Sequence, residues 1–248
     1  MSDIWLPFGV TEGPAYGGEE WRKTRLGLVT ASRFGDVMTE PRSKAAKEAG
    51  ELSETAKGYL YETVAQAITG QERVGGKSAA MDRGVDMEAD ALDYYAETRM
   101  VDVRKGRLLI LDGFGIGATP DGFVEDDPDG PGSVEVKCPE SRTHLMNWTA
   151  RQVPEDYVDQ VQGQLWVTGR AWCDFVSYDD RFPLPMRMVV VRVRRDEAHI
   201  GELRRRVLEF AERANDRIAA IRAYLTEASP VAREIIHQAL ENDPSGAD

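Results

Sequence analysis

The strongest constraint on the fold lies between residues 108 and 138, where the spacing of apolar residues changes from helical to strand-like. In residues 133–138, Val134 and Val136 alternate with Glu135 and Lys137. Alternation of period two places Glu135 and Lys137 on one face of a strand and the valines on the other. Just before it, Ala118-Thr119-Pro120-Asp121-Gly122 reads as a tight turn between strands at 115–119 and 122–124. A hairpin of this kind can bring Asp121 beside Glu135.

The remaining elements follow from periodicity and punctuation. Residues 1–18 read as an irregular, Gly/Pro-rich lead-in, and 19–38 as a helix in two pieces, with Thr30 and Ser32 available as caps. Residues 41–50 read as a basic loop, and 53–69 as a helix ended by Gly70. A helix over 77–98 carries Met81, Val85, Glu88, Leu92 and Tyr95 at three- and four-residue spacing, so Glu88 interrupts an apolar stripe. A strand at 108–111, a helix at 155–167, strands at 171–178 and 186–194, a long helix at 196–225 and a short one at 232–240 complete the set. The order predicts a mixed α/β architecture on one central sheet flanked by helices, with extra N- and C-terminal helices. A single domain is expected over 1–240, with a disordered acidic tail at 241–248.

Composition removes several classes. No apolar run approaches the roughly 20 residues of a membrane span, and the start lacks the pattern of a signal peptide. Two cysteines, Cys138 and Cys173, are no disulfide framework and suit a reducing cytoplasm. The net charge of -12 argues against nucleic acid when taken alone. The acid is concentrated at 125–129 and in the tail, however, while bases cluster at 22–25, 42–47, 192–195 and 204–206.

The chemistry lies in the carboxylates. Asp121 and Glu135 at close range repel each other, and a divalent cation relieves that repulsion. Mg²⁺ prefers a few carboxylates plus water and phosphate oxygens. Lys137 beside such a site could orient an attacking water, accept its proton or neutralise phosphate charge. The same E-x-K pattern also occurs on surface hairpins with ordinary charges. Glu88 needs a partner on its apolar stripe, which could be a metal or one of the arginines. Tyr157, Gln160 and Gln164 share one helix face, either solvated or turned to a phosphate or water. Arg25 and Ser32, near a helix start, would make a chemically sensible phosphate pocket.

These segments resemble the lambda-exonuclease-like family of viral recombination nucleases, within the PD-(D/E)XK superfamily. The resemblance runs from about Glu20 to Ala223. It is carried by W-R-K-T-R-L-G-L-V-T-A-S at 21–32, Arg83-Gly84 with Glu88, A-T-P-D-G and E-V-K-C-P ending at Gly122 and Pro139, and Y-V-D-Q-V-Q-G-Q-L-W-V-T at 157–168. S-Y-D-D-R and the run V-V-V-R-V-R-R-D-E ending at Glu197 fall in the same order. The resemblance implies a PD-(D/E)XK nuclease core and an enzyme that degrades linear double-stranded DNA from 5′ ends, releasing mononucleotides and leaving 3′ tails. It implies two Mg²⁺ ions, with Mn²⁺ able to substitute, held by Glu88, Asp121, Glu135 and the Val136 carbonyl. Lys137 would act on the attacking water with support from Gln160. Arg25 and Ser32 would hold the 5′ phosphate, with Arg42 and Tyr157 as further DNA contacts. It further implies a ring-shaped homotrimer, a single-strand annealing protein as partner, and a phage or prophage product working in the bacterial cytoplasm. An endonuclease with the same metal chemistry and a non-catalytic DNA-binding module are the alternatives.

Overall fold

In the computed structural model, residues 7–72 and 79–227 are described. The expected helix at 232–240 and the acidic tail lie outside them, as do the side chains of Met81 and Val85. Strand β1 (Val10–Ala15) leads to helix α1 (Glu19–Arg25), β2 (Val29–Thr30), a 3₁₀ turn (Ala31–Arg33) and α2 (Phe34–Met38). Then come α3 (Lys44–Glu48), α4 (Glu54–Thr69) and α5 (Ala79–Arg99). Strands β3 (Arg104–Lys105), β4 (Arg107–Leu111), β5 (Ile116–Ala118), β6 (Gly122–Val124) and β7 (Gly132–Lys137) follow. Helices α6 (Ser141–Ala150) and α7 (Glu155–Thr168) cross to β8 (Trp172–Tyr178), then a 3₁₀ turn (Leu184–Met186), β9 (Met188–Arg194) and α8 (Glu197–Glu227).

The mixed α/β class is as expected, but there are two sheets rather than one. The first runs β1-β4-β5-β2 and the second β3-β6-β7-β8-β9. A long antiparallel ribbon is broken between them. Gly106 separates β3 from β4, and Thr119-Pro120-Asp121 separates β5 from β6. The two breaks face each other: the Gly106 N–H donates to the Asp121 carbonyl at 2.9 Å. A Cβ at Gly106 would fall 1.7 Å from the Pro120 carbonyl oxygen, so only glycine allows the approach. Asp121 therefore sits where the ribbon passes from one sheet to the other.

Three local readings are corrected. The lead-in contains β1, a strand because it pairs with β4 in antiparallel register, Val10 against Leu111. The basic loop at 41–50 contains α3, whose N-terminus is capped by the Ser43 hydroxyl accepting from the Ala46 N–H. Thr30 precedes the 3₁₀ turn but makes no side-chain cap. Helix α4 ends as read, at Gly70 with φ of 64°.

The parallel pair β7–β8 requires a crossover, and α6 with α7 supplies it. On α7, Val161 and Leu165 pack with Cys173, Phe175 and Ile200. Burying such side chains stabilises by about 1.5–3 kcal/mol each. Gly163 brings α7 against the Phe34 ring, where a Cβ would lie 2.3 Å from it. Among the described residues, no helix is long and apolar enough to cross a membrane.

Candidate active site

Glu135 and Lys137 project from β7 as the alternation requires, and Lys137 Nζ donates to Glu135 Oε1 at 2.5 Å. Glu135 is 2% exposed. Gln160 also donates to Oε1, and Gln164 donates to Oε2 at 2.6 Å. The helix face carrying these two glutamines is thus turned to a carboxylate, not to solvent. Gln164 was a face residue in the sequence without a role of its own; its four-residue spacing from Gln160 was the signal.

Asp121 is locked at the sheet junction. Its N–H donates to the Val134 carbonyl, and its Oδ2 accepts from the Val136 N–H at 2.7 Å. Strand β6 pairs with β7 only as far as Gly122 against Val134. Beyond that point the Asp121 side chain takes the place of a strand neighbour. In an extended strand the carbonyl of a residue projects on the same side as its N–H. Val136 therefore offers its carbonyl at this edge.

Glu88 comes from α5. The sequence left a metal or an arginine as its partner, and the structure gives a third answer: the Tyr16 hydroxyl donates to Glu88 Oε2 at 2.9 Å. Helix α5 is pinned on either side of Glu88. Tyr95 donates to Asp174 at 2.7 Å, and Arg83 pairs with Asp180 at 2.6 Å. Tyr16, at the end of β1, was missed because its glycine-rich surroundings read as irregular.

The electrostatics express crowding of like charge. Burial and the nearby Glu135 hold the Asp121 carboxyl well above the usual carboxylate range, against the pull of Lys137 and the Val136 N–H. Burial raises Glu88 too, against its Tyr16 bond and Lys137. For Lys137 burial works against the charge, but Glu135 and Asp121 more than offset it and hold the ammonium above its ordinary value. Burial and Glu88 raise the Tyr16 phenol, so it remains a donor. Burial pushes the Cys138 thiol up to about 12; both cysteines are free.

Three carboxyl groups crowd one ammonium and form an acidic, all-oxygen donor set. That chemistry fits a hard divalent cation. The donors are not drawn into a ready-made cage: among the described residues, no three Asp, Glu, His or Cys side chains converge to hold a metal. Glu135 is instead engaged by Lys137 and the two glutamines.

The outlying candidates fall in different places. The Arg25 guanidinium lies 4.6 Å above the Trp21 ring. Trp21 packs edge-on to Tyr16 at 4.9 Å and donates from Nε1 to Thr119 Oγ1 at 3.2 Å. Arg25 is therefore linked through aromatic contacts to the carboxylates. Exposed Ser32 lies 3.3 Å from Thr30 Oγ1 and lines a cavity of about 530 Å³ that also includes Arg33, Asp36, Asp159 and Gln160. No described contact joins Ser32 to Arg25. Tyr157 packs on Phe175, with Lys137 Nζ 5.1 Å from its ring centre. Arg42 is exposed ahead of α3, and no described hydrogen bond or ion pair ties it to the carboxylates. The acidic stretch at 125–129 is largely neutralised within the fold. Arg170 pairs with Glu125 at 2.7 Å, Arg192 with Asp127 and Asp129 at 3.0 Å, and Arg194 with Asp129 at 2.7 Å.

The chain and its fold have counterparts. Residues 20–171 match the YqaJ-like viral recombinase domain, and the chain belongs to that family of nucleases. It is similar to an alkaline exonuclease from Laribacter hongkongensis, with 34% identity, 86% of this chain and 100% of that chain covered, and a TM-score of 0.73. The same exonuclease in complex with dAMP matches at 33% identity over 86% and 100% of the two chains, with a TM-score of 0.71. A phage-related exonuclease from Haemophilus somnus shares the fold, at 21% identity over 78% of this chain and 96% of that one, with a TM-score of 0.58. No curated protein sequence matches the chain. The expected kinship with viral recombination nucleases is borne out.

Proposed function

We propose that the protein is a divalent-metal-dependent exonuclease that degrades one strand of linear double-stranded DNA from its 5′ end. It releases mononucleotides and leaves 3′ single-stranded tails for recombination by strand annealing. One observation carries the reading: Glu88, Asp121, Glu135 and Lys137 lie close enough at the sheet junction to act on one another's charge. The alkaline exonuclease likeness and that enzyme's complex with dAMP support it.

Glu88, Asp121, Glu135 and the Val136 carbonyl would hold Mg²⁺, or Mn²⁺ in its place. Bound there, the ion would stabilise charge developing on the phosphate. Lys137 keeps its ammonium beside Glu135, where it orients the attacking water and offsets phosphate charge. Gln160 and Gln164 fix both Glu135 oxygens without adding charge. Arg25 and Ser32 receive the 5′ phosphate, and Arg42 and Tyr157 lie along the DNA. Three copies forming a ring would hold the duplex topologically, which suits an acidic protein whose basic residues need only line a channel. An annealing protein would then receive the tail.

The test is a digestion time course on linear duplex labelled separately at each end, beside covalently closed circles. Mg²⁺-dependent release of the 5′ label first, as mononucleotide, with circles intact, is expected. Cleavage of circles would mark an endonuclease, and inertness toward both a binding module. Light scattering at working concentration checks the trimer.

A further inference from the structure

We infer that Tyr16 is a positioning residue that holds Glu88 in place for a divalent cation. This rests on the reading of Glu88 as a ligand given above. Tyr16 is fixed from three directions. Its N–H donates to the Gly106 carbonyl at 3.2 Å, and Gly106 in turn donates to Asp121. The Trp21 ring meets it edge-on at 4.9 Å, and Trp21 is itself tied to Thr119, two residues before Asp121. Gly17, with φ of 90°, turns the chain directly after it into α1. The phenol therefore presents a donor whose position is set by the same backbone break that places Asp121.

That donor takes one oxygen of Glu88 and leaves the other. Tyr16 reaches Oε2, while among the described residues Oε1 accepts no hydrogen bond. Glu88, Asp121 and Tyr16 together border a cavity of about 320 Å³ that Leu92 and Val103 also line. A glutamate side chain there has several rotatable bonds, and a fixed donor on one oxygen selects among its rotamers. Glu88 stands apart from Glu135, whose two oxygens are satisfied by three donors. Oriented partners of ligating groups typically change metal affinity by about 10–100-fold when removed.

The experiment measures Mn²⁺ binding by titration calorimetry on the full chain without DNA. It compares wild type, Tyr16→Phe, Glu88→Gln and the double variant, and follows the Mg²⁺ concentration for half-maximal cleavage in parallel. The Phe variant removes one oxygen and keeps the ring against Trp21. Tyr16→Phe is expected to weaken Mn²⁺ binding roughly tenfold, at the low end of such effects. The half-maximal Mg²⁺ concentration should rise by a similar factor. The double variant is expected to bind no more weakly than Glu88→Gln alone, because Tyr16 acts through that carboxylate. Wild-type affinity in Tyr16→Phe beside a weakened Glu88→Gln overturns the inference and leaves the metal site standing. Additive losses in the double variant overturn it too, since Tyr16 would then act elsewhere. Wild-type affinity in Glu88→Gln overturns the assignment of Glu88 as a ligand, and the inference with it.

Discussion

Glu135 and Glu88 belong to one cluster but are held in different ways. Glu135 is buried on a central strand, and three side-chain donors from β7 and α7 meet its two oxygens. Glu88 is half-buried on a helix, and among the described residues its one donor comes from the β1–α1 link. An ionised carboxylate withdrawn from water is costly unless charge and hydrogen bonds replace its hydration. On the β7 side the protein makes that compensation itself. On the α5 side it does so only in part, leaving an oxygen of Glu88 without a donor among the described residues. The β7 half is a finished part of the fold; on the proposed reading, a bound cation would complete the α5 half.

The largest effect should come from Lys137, the cation shared by both halves. Lys137→Ala is expected to lower single-turnover cleavage of linear duplex by roughly 10²–10⁴-fold, the range for a positioned group acting on a proton or charge in the reaction. Binding of the same duplex, followed by anisotropy in Ca²⁺, should change little, because the ammonium is turned to Glu135. Ca²⁺ itself should support binding but little cleavage, since its coordination is larger and looser than that of Mg²⁺. Loss of affinity as large as the loss of rate would mean that Lys137 mainly holds DNA.

A sharper contrast comes from Gln164→Leu. It leaves Glu135 Oε2 buried without its donor, a loss of about 1.5–3 kcal/mol for a hydrogen bond to a charged group. Cleavage should fall roughly 10–100-fold as the carboxylate shifts. The melting temperature without metal should fall as well, because this bond belongs to the folded protein before anything binds. Tyr16→Phe should lower that melting temperature less than Gln164→Leu does, because Glu88 is half-buried and water can replace the lost donor. Equal melting losses in the two variants would erase the distinction between the halves.

The same division decides what could be read from the sequence. The β7 half is local: Glu135 and Lys137 share a face by strand alternation, and Gln160 with Gln164 by helix spacing. Asp121 was legible through its Pro-Gly turn. The chemistry of Gln164 was not, because periodicity places a side chain on a face without saying what lies opposite. The α5 half is assembled from distant segments. Tyr16 meets Glu88 across 72 residues, and β1 is a strand only because β4 lies beside it. Nor could alternation reveal that the sheet divides in two. That depends on Gly106 meeting Pro120, a contact between two backbone breaks rather than a pattern within one element.

The smallest effect should fall on the outermost part of the α5 half, where Arg25 lies over Trp21. A planar guanidinium suits phosphate oxygens and also rests well on an aromatic face. Arg25 is partly exposed, so water competes for its donors. The contact should then stand near the low end for charge-assisted bonds, about 1.5 kcal/mol. That corresponds to roughly tenfold in rate. Wild type is expected to digest 5′-phosphorylated ends faster than 5′-hydroxyl ends, and Arg25→Ala to shrink that ratio by about this factor while leaving the hydroxyl rate nearly unchanged. The ratio separates end recognition from a general role: an arginine that only packs on Trp21 would disturb Tyr16 and Glu88 behind it and slow both substrates together. Initial rates on the two ends, for both proteins, decide between these. An unchanged ratio would move the phosphate pocket away from Arg25, toward the cavity lined by Ser32 and Arg33.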